Sequence, residues 1–411
     1  MDVAGFIANR IAFNRQNSFS RFIIRLSVGA TIISVAVMIV ALALVNGFQE
    51  TVSNKVFSFS GHIRVQFKQA LSGPVTEEIL IERNAKAEAL IKSDKRVKSI
   101  HPYATRYGAL KSGDAMEGVL VKGLTSEFDF TLLKPFVKKG RWINFTDSGF
   151  AREVIISEYT AKQLNVTLDD SIHVFFIQAD SNPRSRKVKV VGIYKTGIDD
   201  YDKQISICDL KLMRRLNDWD EEEIGGYEVF LYDFTKMRTI SNELYANPAF
   251  PGTWDVQPIR NIYPNIFDWL NLQDLTRNVL IGFMSLVAFI NLITCLIILV
   301  LERIQMVGVL KALGATDWTI QKIFLRHSMV ITSIGIFFGA LLGLGLLYLQ
   351  KATGFIKLKE EAYYMSEAAV KIVWSEVLLV CLATFLVSIL VLTIPTLIVK
   401  KVKPVKAIQF R

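Results

Sequence analysis

Only three cysteines occur in 411 residues, and none stands in a C-x-x-C pair or beside a histidine cluster. Neither a disulfide-stapled secreted scaffold nor a structural zinc site can be built from this chain. Histidine is scarce as well: His62, His101, His173 and His327 stand singly, and read as surface or strand residues. Phosphate loops of the GxxxxGK form, GxSxG elbows and HExxH pairs are missing, which leaves no catalytic constellation. The stretch Gly108-Ala-Leu-Lys-Ser-Gly113 lacks the helix that an anion site requires. This chain is expected to bind no metal and no cofactor of its own, and if ATP is consumed, another chain binds it. Internal repeats and low-complexity tracts are lacking too.

Charge is absent from four stretches, Leu26–Phe48, Asn278–Leu301, Ser328–Gln350 and Val377–Val399. Each is long enough for a bilayer core of roughly 30 Å, which needs about 20 helical residues. The first has too long an apolar run for a secretory signal and is followed by no small-residue cleavage site, so it reads as an uncleaved anchor. Four uncharged helices in a soluble core would be unusual. The expected fold class is therefore membrane α-helical, with four transmembrane helices at 26–48, 278–301, 328–350 and 377–399. A large exported α+β domain at 49–277 separates the first two, and a short exported loop at 351–376 separates the last two.

The net charge of +10 fits a nucleic-acid partner or a positive-inside membrane protein, and its distribution decides between them. With four crossings, residues 1–25, the loop 302–327 and the tail 400–411 share one side. They carry 13 basic and three acidic residues, while the rest of the chain carries 35 of each sign. The whole excess lies on one side, which marks that side as cytoplasmic, with both termini there. No basic face remains on the large domain, so no nucleic acid is expected. Ahead of the first span, Val3, Phe6, Ile7 and Ile11 recur at helical spacing, as in a helix lying on the inner leaflet and touching membrane lipid.

Within 49–277, His62-Ile-Arg-Val-Gln-Phe67 alternates as a half-buried strand does, and Glu77–Ile91 has helix-forming composition. Val154-Ile-Ile156 followed by Ser157 predicts a strand running into a capped helix to Leu164. A turn at Asp169-Asp170 and strands at Ile172–Phe176 and Lys187–Val191 follow. In the third span Gly335, Gly339 and Gly343 recur every four residues, a face that lets another helix approach backbone to backbone. Asn291, midway along the second span, needs an interhelical partner. In the loop between these spans, Met306, Val309, Leu310 and Leu313 fall on one helical face, Gly314 can end that helix and Thr316 can cap the next.

Glu302-Arg-Ile-Gln-Met-Val-Gly-Val-Leu-Lys-Ala-Leu-Gly-Ala-Thr-Asp317 resembles the coupling segment of the FtsX-like permeases of ATP-driven transporters. Val45-Asn-Gly-Phe48, Val190-Val-Gly-Ile193 with Gly197 and Asp202, Phe289-Ile-Asn291, Tyr363-Tyr-Met-Ser366 and Pro404-Val-Lys-Ala-Ile408 are similar to the lipoprotein-releasing LolC/LolE type. The resemblance implies a porter-type domain with a strand-rich domain inserted at about 113–227. It implies a bacterial inner-membrane permease that pairs with a second permease, either a copy of itself or a paralogue, around a central cavity. A cytoplasmic ABC ATPase dimer would hold ATP and Mg. The substrate would be an acylated lipoprotein, handed to a periplasmic lipoprotein carrier. ATPase coupling then falls to Met306, Val309, Leu310, Lys311, Leu313 and Gly314. The bulky apolar residues at the outer halves of the first two spans, Leu42, Leu44, Val45, Phe48, Leu280, Phe283, Met284 and Val287, become the candidate acyl-binding set. The loop Gln178–Arg186 is shorter than the carrier-recruiting hairpin associated with the LolC type. Two other readings stay open, a tripartite peptide or drug export pump and an FtsX-like regulator of cell-wall hydrolysis.

Overall fold

The computed structural model describes residues 19–69, 78–146, 149–177 and 183–396. The expected inner-leaflet helix with Val3, Phe6, Ile7 and Ile11, the tail motif Pro404–Ile408 and the tip of the 178–186 loop lie outside them. The chain divides into two compact units, one formed by residues up to 50, 270–357 and 367 onward, the other by 51–269 and 358–366.

The first unit is helical. Helices Phe19–Ser60, Pro264–Glu302 and Asp317–Thr353 contain the first three charge-free stretches, and among the described residues three helices are long and apolar enough to cross a membrane. A further helix, Trp374–Thr396, covers 23 residues. Phe19–Ser60 covers 42 residues, or about 63 Å at 1.5 Å per residue, twice what the hydrocarbon needs. Hydropathy reports only the lipid-facing part of such a helix, because its polar continuation is equally helical.

Packing among these helices follows the small residues. Gly335, Gly339 and Gly343 are buried, and a Cβ on them would lie 2.8 Å from Thr31 Cβ, 2.8 Å from the Ile32 carbonyl oxygen and 3.1 Å from Ala36 Cα. The tandem glycine face is thus packed within the chain against the first helix. Beside it, the Asn291 amide donates to the Ser27 carbonyl at 3.3 Å, and the Ser27 hydroxyl donates to Asn291 Oδ1 at 3.3 Å. Val35, Met38, Ile39, Leu42, Ala43, Leu347 and Val380 form one apolar core of this unit.

The second unit is built on one ten-stranded sheet. At one end Ile63–Phe67 lies between Trp254–Pro258 and Gly226–Leu231, both antiparallel to it, and Gly226–Leu231 pairs in turn with the first half of the long strand Val97–Ser112. The second half of that strand begins a closed ring. It pairs with Ala115–Leu124, which is followed by Ile205–Asp209, Glu153–Ser157, Pro183–Tyr194 and Ser171–Ile177, and the last returns to Val97–Ser112 at Gly108↔Phe176. A closed ring leaves no free edge among its members. Gly113 is the turn between its first two strands, so the chain enters the ring along a strand instead of at the 113 boundary. Ser157 accepts from the Thr160 N–H and starts the helix Glu158–Gln163, as its sequence indicates. The helix expected over Glu77–Ile91 is shorter, Ala85–Ser93, because Asn84 caps it by accepting from the Lys86 and Ala87 N–H groups.

The strand Ile63–Phe67 is not half-buried. Arg64 and Gln66 are enclosed along with their apolar neighbours, and Arg64 is tolerated because charge meets charge. Its guanidinium lies 3.9 Å from Glu78 and 4.0 Å from Glu228 and sits over the Tyr103 ring. Lys122 donates to Glu228 at 2.6 Å and to the Phe59 carbonyl. Burial pulls the Lys122 ammonium down from its ordinary range, opposed by Glu228, and pushes the Glu78 carboxyl up, opposed by Arg64. His62 is neutral at pH 7: burial lowers its imidazole to about 4, and Nδ1 accepts from the Leu231 N–H at 2.8 Å.

Candidate functional site

The loop between the second and third long helices folds as a short helix, Ile304–Ala312. It ends in a Schellman motif, in which the Gly314 N–H donates to the Lys311 carbonyl at 3.0 Å and the Ala315 N–H to the Leu310 carbonyl at 2.9 Å. Gly314 has φ +88°, the left-handed conformation such an ending needs. Thr316 then caps Asp317–Thr353 by accepting from the Thr319 N–H, and Lys311 pairs with Asp317 at 2.8 Å across the turn.

The six residues to which the resemblance assigns ATPase coupling do not form one exposed face. Val307 is fully buried in a cluster with Leu292, Leu296, Val300, Ile320 and Phe324, and Met306 and Leu310 pack against that cluster. Val309 is 49% exposed and Leu313 79% exposed. The expected amphipathic face is split because the chain's own long helices supply the apolar surface that covers Met306 and Leu310. Trp318, at the start of the next helix, is also exposed, at 59%, with Lys322 over its ring at 5.4 Å. Its signal in the sequence is a tryptophan in the first turn after a capping threonine.

This split separates two substitutions. If the resemblance places the ATPase contact correctly, Leu313→Asp, at an exposed position, is expected to release the ATPase while leaving the thermal midpoint of the chain within about 2 °C. Leu310→Asp places an unpaired charge against the chain's own core, at a cost of several kcal/mol, and is expected to lower the midpoint and release the partner together. Co-purification beside thermal unfolding in detergent distinguishes the two, and an ATPase retained at full stoichiometry by Leu313→Asp excludes this docking surface.

The candidate acyl-binding set also divides. Leu42, Leu44 and Met284 belong to the packing between helices, and Val45, Phe48 and Leu280 are partly buried. Phe283 and Val287 are 63% and 53% exposed and share one stripe of the second long helix with Val279, Leu286 and Ile290. A separate apolar cavity of about 250 Å³ lies among Met38, Ile281, Ser285, Phe289, Val380 and Thr384. Groups of three or more histidine, cysteine or acidic side chains able to hold a metal ion are absent among the described residues.

Long apolar helices carrying a mixed sheet unit between the first and second, and a capped short helix between the second and third, have the make-up of a membrane protein with a large domain outside the bilayer. Residues 26–233 match the MacB-like periplasmic core domain and residues 278–404 the FtsX-like permease C-terminal region, and the chain belongs to this family of FtsX-like permeases. Within it, the chain is similar along its length to lipoprotein-releasing system transmembrane proteins. It is 20% identical to LolC of Xylella fastidiosa, over 96% of each chain. It is 23% identical to LolE of Haemophilus influenzae, over 100% of each. The periplasmic region of MacB from Actinobacillus actinomycetemcomitans aligns at 13% identity with TM-score 0.35, covering 50% of this chain and 91% of that one.

Proposed function

We propose that the chain is the permease subunit of an ATP-driven transporter that extracts lipoproteins from the bacterial inner membrane for transfer to a periplasmic carrier. The observation that carries this reading is the end-to-end similarity to lipoprotein-releasing proteins of nearly equal length. In this reading Trp374–Thr396 is the fourth crossing, since 23 helical residues span about 34 Å. Both termini and the short helix Ile304–Ala312 are cytoplasmic, in keeping with the charge distribution. Val309, Leu313 and Trp318 meet a separate ATPase that supplies ATP and Mg, and a second permease completes the cavity. Closure of the ATPase shifts the second and third long helices as levers between two arrangements. An acyl chain moving from lipid to an apolar cavity exchanges one hydrocarbon environment for another, so burial supplies little drive. Nucleotide-driven narrowing must perform the expulsion.

Photo-crosslinkers at Phe283 and Val287 are expected to capture lipoprotein in the nucleotide-free transporter and to lose it when ATP is trapped, whereas one at Met284, within the helix packing, captures neither cargo nor lipid. Capture of phospholipid alone at the exposed positions, with soluble peptides or drugs captured by the large unit, would replace this reading with that of a tripartite pump.

A further inference from the structure

Three pieces of chain that are remote in sequence meet within the large unit. Lys55 comes from the last turns of Phe19–Ser60. Lys195-Thr196-Gly197 follows the ring strand Pro183–Tyr194. Residues 358–366 belong to the link that joins the helices Asp317–Thr353 and Trp374–Thr396. The base of this last segment is closed by the Leu358 N–H on the Ser366 carbonyl at 2.9 Å. Glu360–Tyr363 makes a single helical turn and Tyr364 takes φ +56°, a conformation that a residue with a Cβ holds only when its surroundings impose it.

Those surroundings are specific. The Lys55 ammonium donates to the Tyr364 carbonyl at 2.5 Å and also to the Thr196 carbonyl. Lys195 pairs with Glu360 at 2.5 Å. The Trp269 and Tyr364 rings meet edge-on at 5.5 Å. Gly197 has φ +76°, and a Cβ there would lie 2.8 Å from Glu360 Oε1. Asp202 fixes the turn below by accepting from the Thr196 N–H, the Thr196 hydroxyl and the Gly197 N–H, each at 2.8 Å. An ammonium that sheds water needs acceptors for its donors, and two of them come from segments that meet only when 358–366 is seated. Burial lowers the Lys55 ammonium from its ordinary range, while Glu360 and Asp202 raise it.

We propose that residues 358–366 form a latch, seated on Lys195–Gly197 and pinned by Lys55, which ties the link between the third and fourth long helices to the ring of strands in the large unit. Displacement of either helix end is thereby passed to the strand Pro183–Tyr194 instead of being absorbed by a loose loop. Gly197, Asp202 and Tyr363–Ser366, which the sequence connects only through a family resemblance, acquire one shared physical role. The latch itself is independent of the cargo, and its effect on transport rests on the permease reading.

The test uses the full chain in lipid nanodiscs, with hydrogen–deuterium exchange read peptide by peptide. Lys55→Met keeps the aliphatic stem and removes the donors, and Gly197→Val keeps Lys55 but forces a β-branched residue into φ +76° and pushes the Glu360 carboxylate off its seat beside Lys195. Each is expected to speed exchange across 358–366 about tenfold or more while Gly226–Leu231 stays protected. Wild-type exchange of 358–366 in Gly197→Val overturns the latch, and so does opening of Gly226–Leu231 by both variants, since these contacts would then belong to the general fold. If only Lys55→Met opens that strand, the Gly197→Val result decides. In the assembled transporter both variants are expected to keep the partner's ATP hydrolysis and lose cargo release. A wild-type chain that releases no lipoprotein defeats the permease reading, and the exchange result still decides the latch.

Discussion

Glu228→Gln is expected to cost the large unit about 3–5 kcal/mol, the usual penalty for leaving a buried charge without its partner. Glu228 is fully enclosed, with Lys122 at 2.6 Å and Arg64 at 4.0 Å. The amide keeps the shape and an acceptor, so the loss isolates charge: two buried cations would face Glu78 alone. Hydrogen exchange at Gly226–Leu231 reads the change, because that strand lies in the middle of the sheet and opens only with it. The double variant Lys122→Met with Glu228→Gln removes one charge of each sign and leaves Arg64 paired with Glu78. It is expected to recover most of the loss, short of about 1 kcal/mol for the donor that the Phe59 carbonyl no longer has. A double variant as unstable as the single one would show that packing, not charge balance, sets the cost.

Gly339→Leu is the second large effect. A Cβ at Gly339 would lie 2.8 Å from the Ile32 carbonyl oxygen and 2.8 Å from Val35 Cβ, and backbone cannot move aside as the end of a flexible side chain can. The helices must separate, at about 1–3 kcal/mol or more. Gly345 lies on the same helix with nothing within 4 Å of its hypothetical Cβ, so Gly345→Leu is expected to change stability by less than about 0.5 kcal/mol. Thermal unfolding of both variants in one detergent makes the comparison, and equal midpoints would remove the glycine seam from the account.

What could be read from sequence was what short-range physics fixes. Absence of charge located the long helices, Ser157 and Thr316 marked helix starts, and Gly314 marked a helix end, because each signal acts within one or two turns. What could not be read depends on which surfaces meet. Met306 and Leu310 carry the same apolar signal as Val309 and Leu313, and only the neighbouring helices decide which pair is covered. Arg64 alternates with apolar residues as a solvent-facing side chain would, and its partners Glu78 and Glu228 are distant in sequence. The strand Val97–Ser112 shows no clean alternation, because its pattern is broken by His101, Pro102 and Arg106, and its pairing with Ser171–Ile177 is set by closure of the ring. Segment 358–366 gives no local sign that it belongs with the large unit.

The order of strands in the sheet also fixes an order in time. Every strand of the closed ring lies between Val97 and Asp209, so the ring can close once synthesis has passed Asp209. Ile63–Phe67 is made earlier than any of them, yet its two neighbours, Gly226–Leu231 and Trp254–Pro258, are made last. The first strand therefore waits, unpaired on both sides, while most of the unit is still being synthesised, and long-range pairings of this kind form slowly. During that interval it is the segment most open to mispairing with other chains. A ribosome that stalls between Leu231 and Trp254 leaves a finished ring beside a strand that has one neighbour and one bare edge.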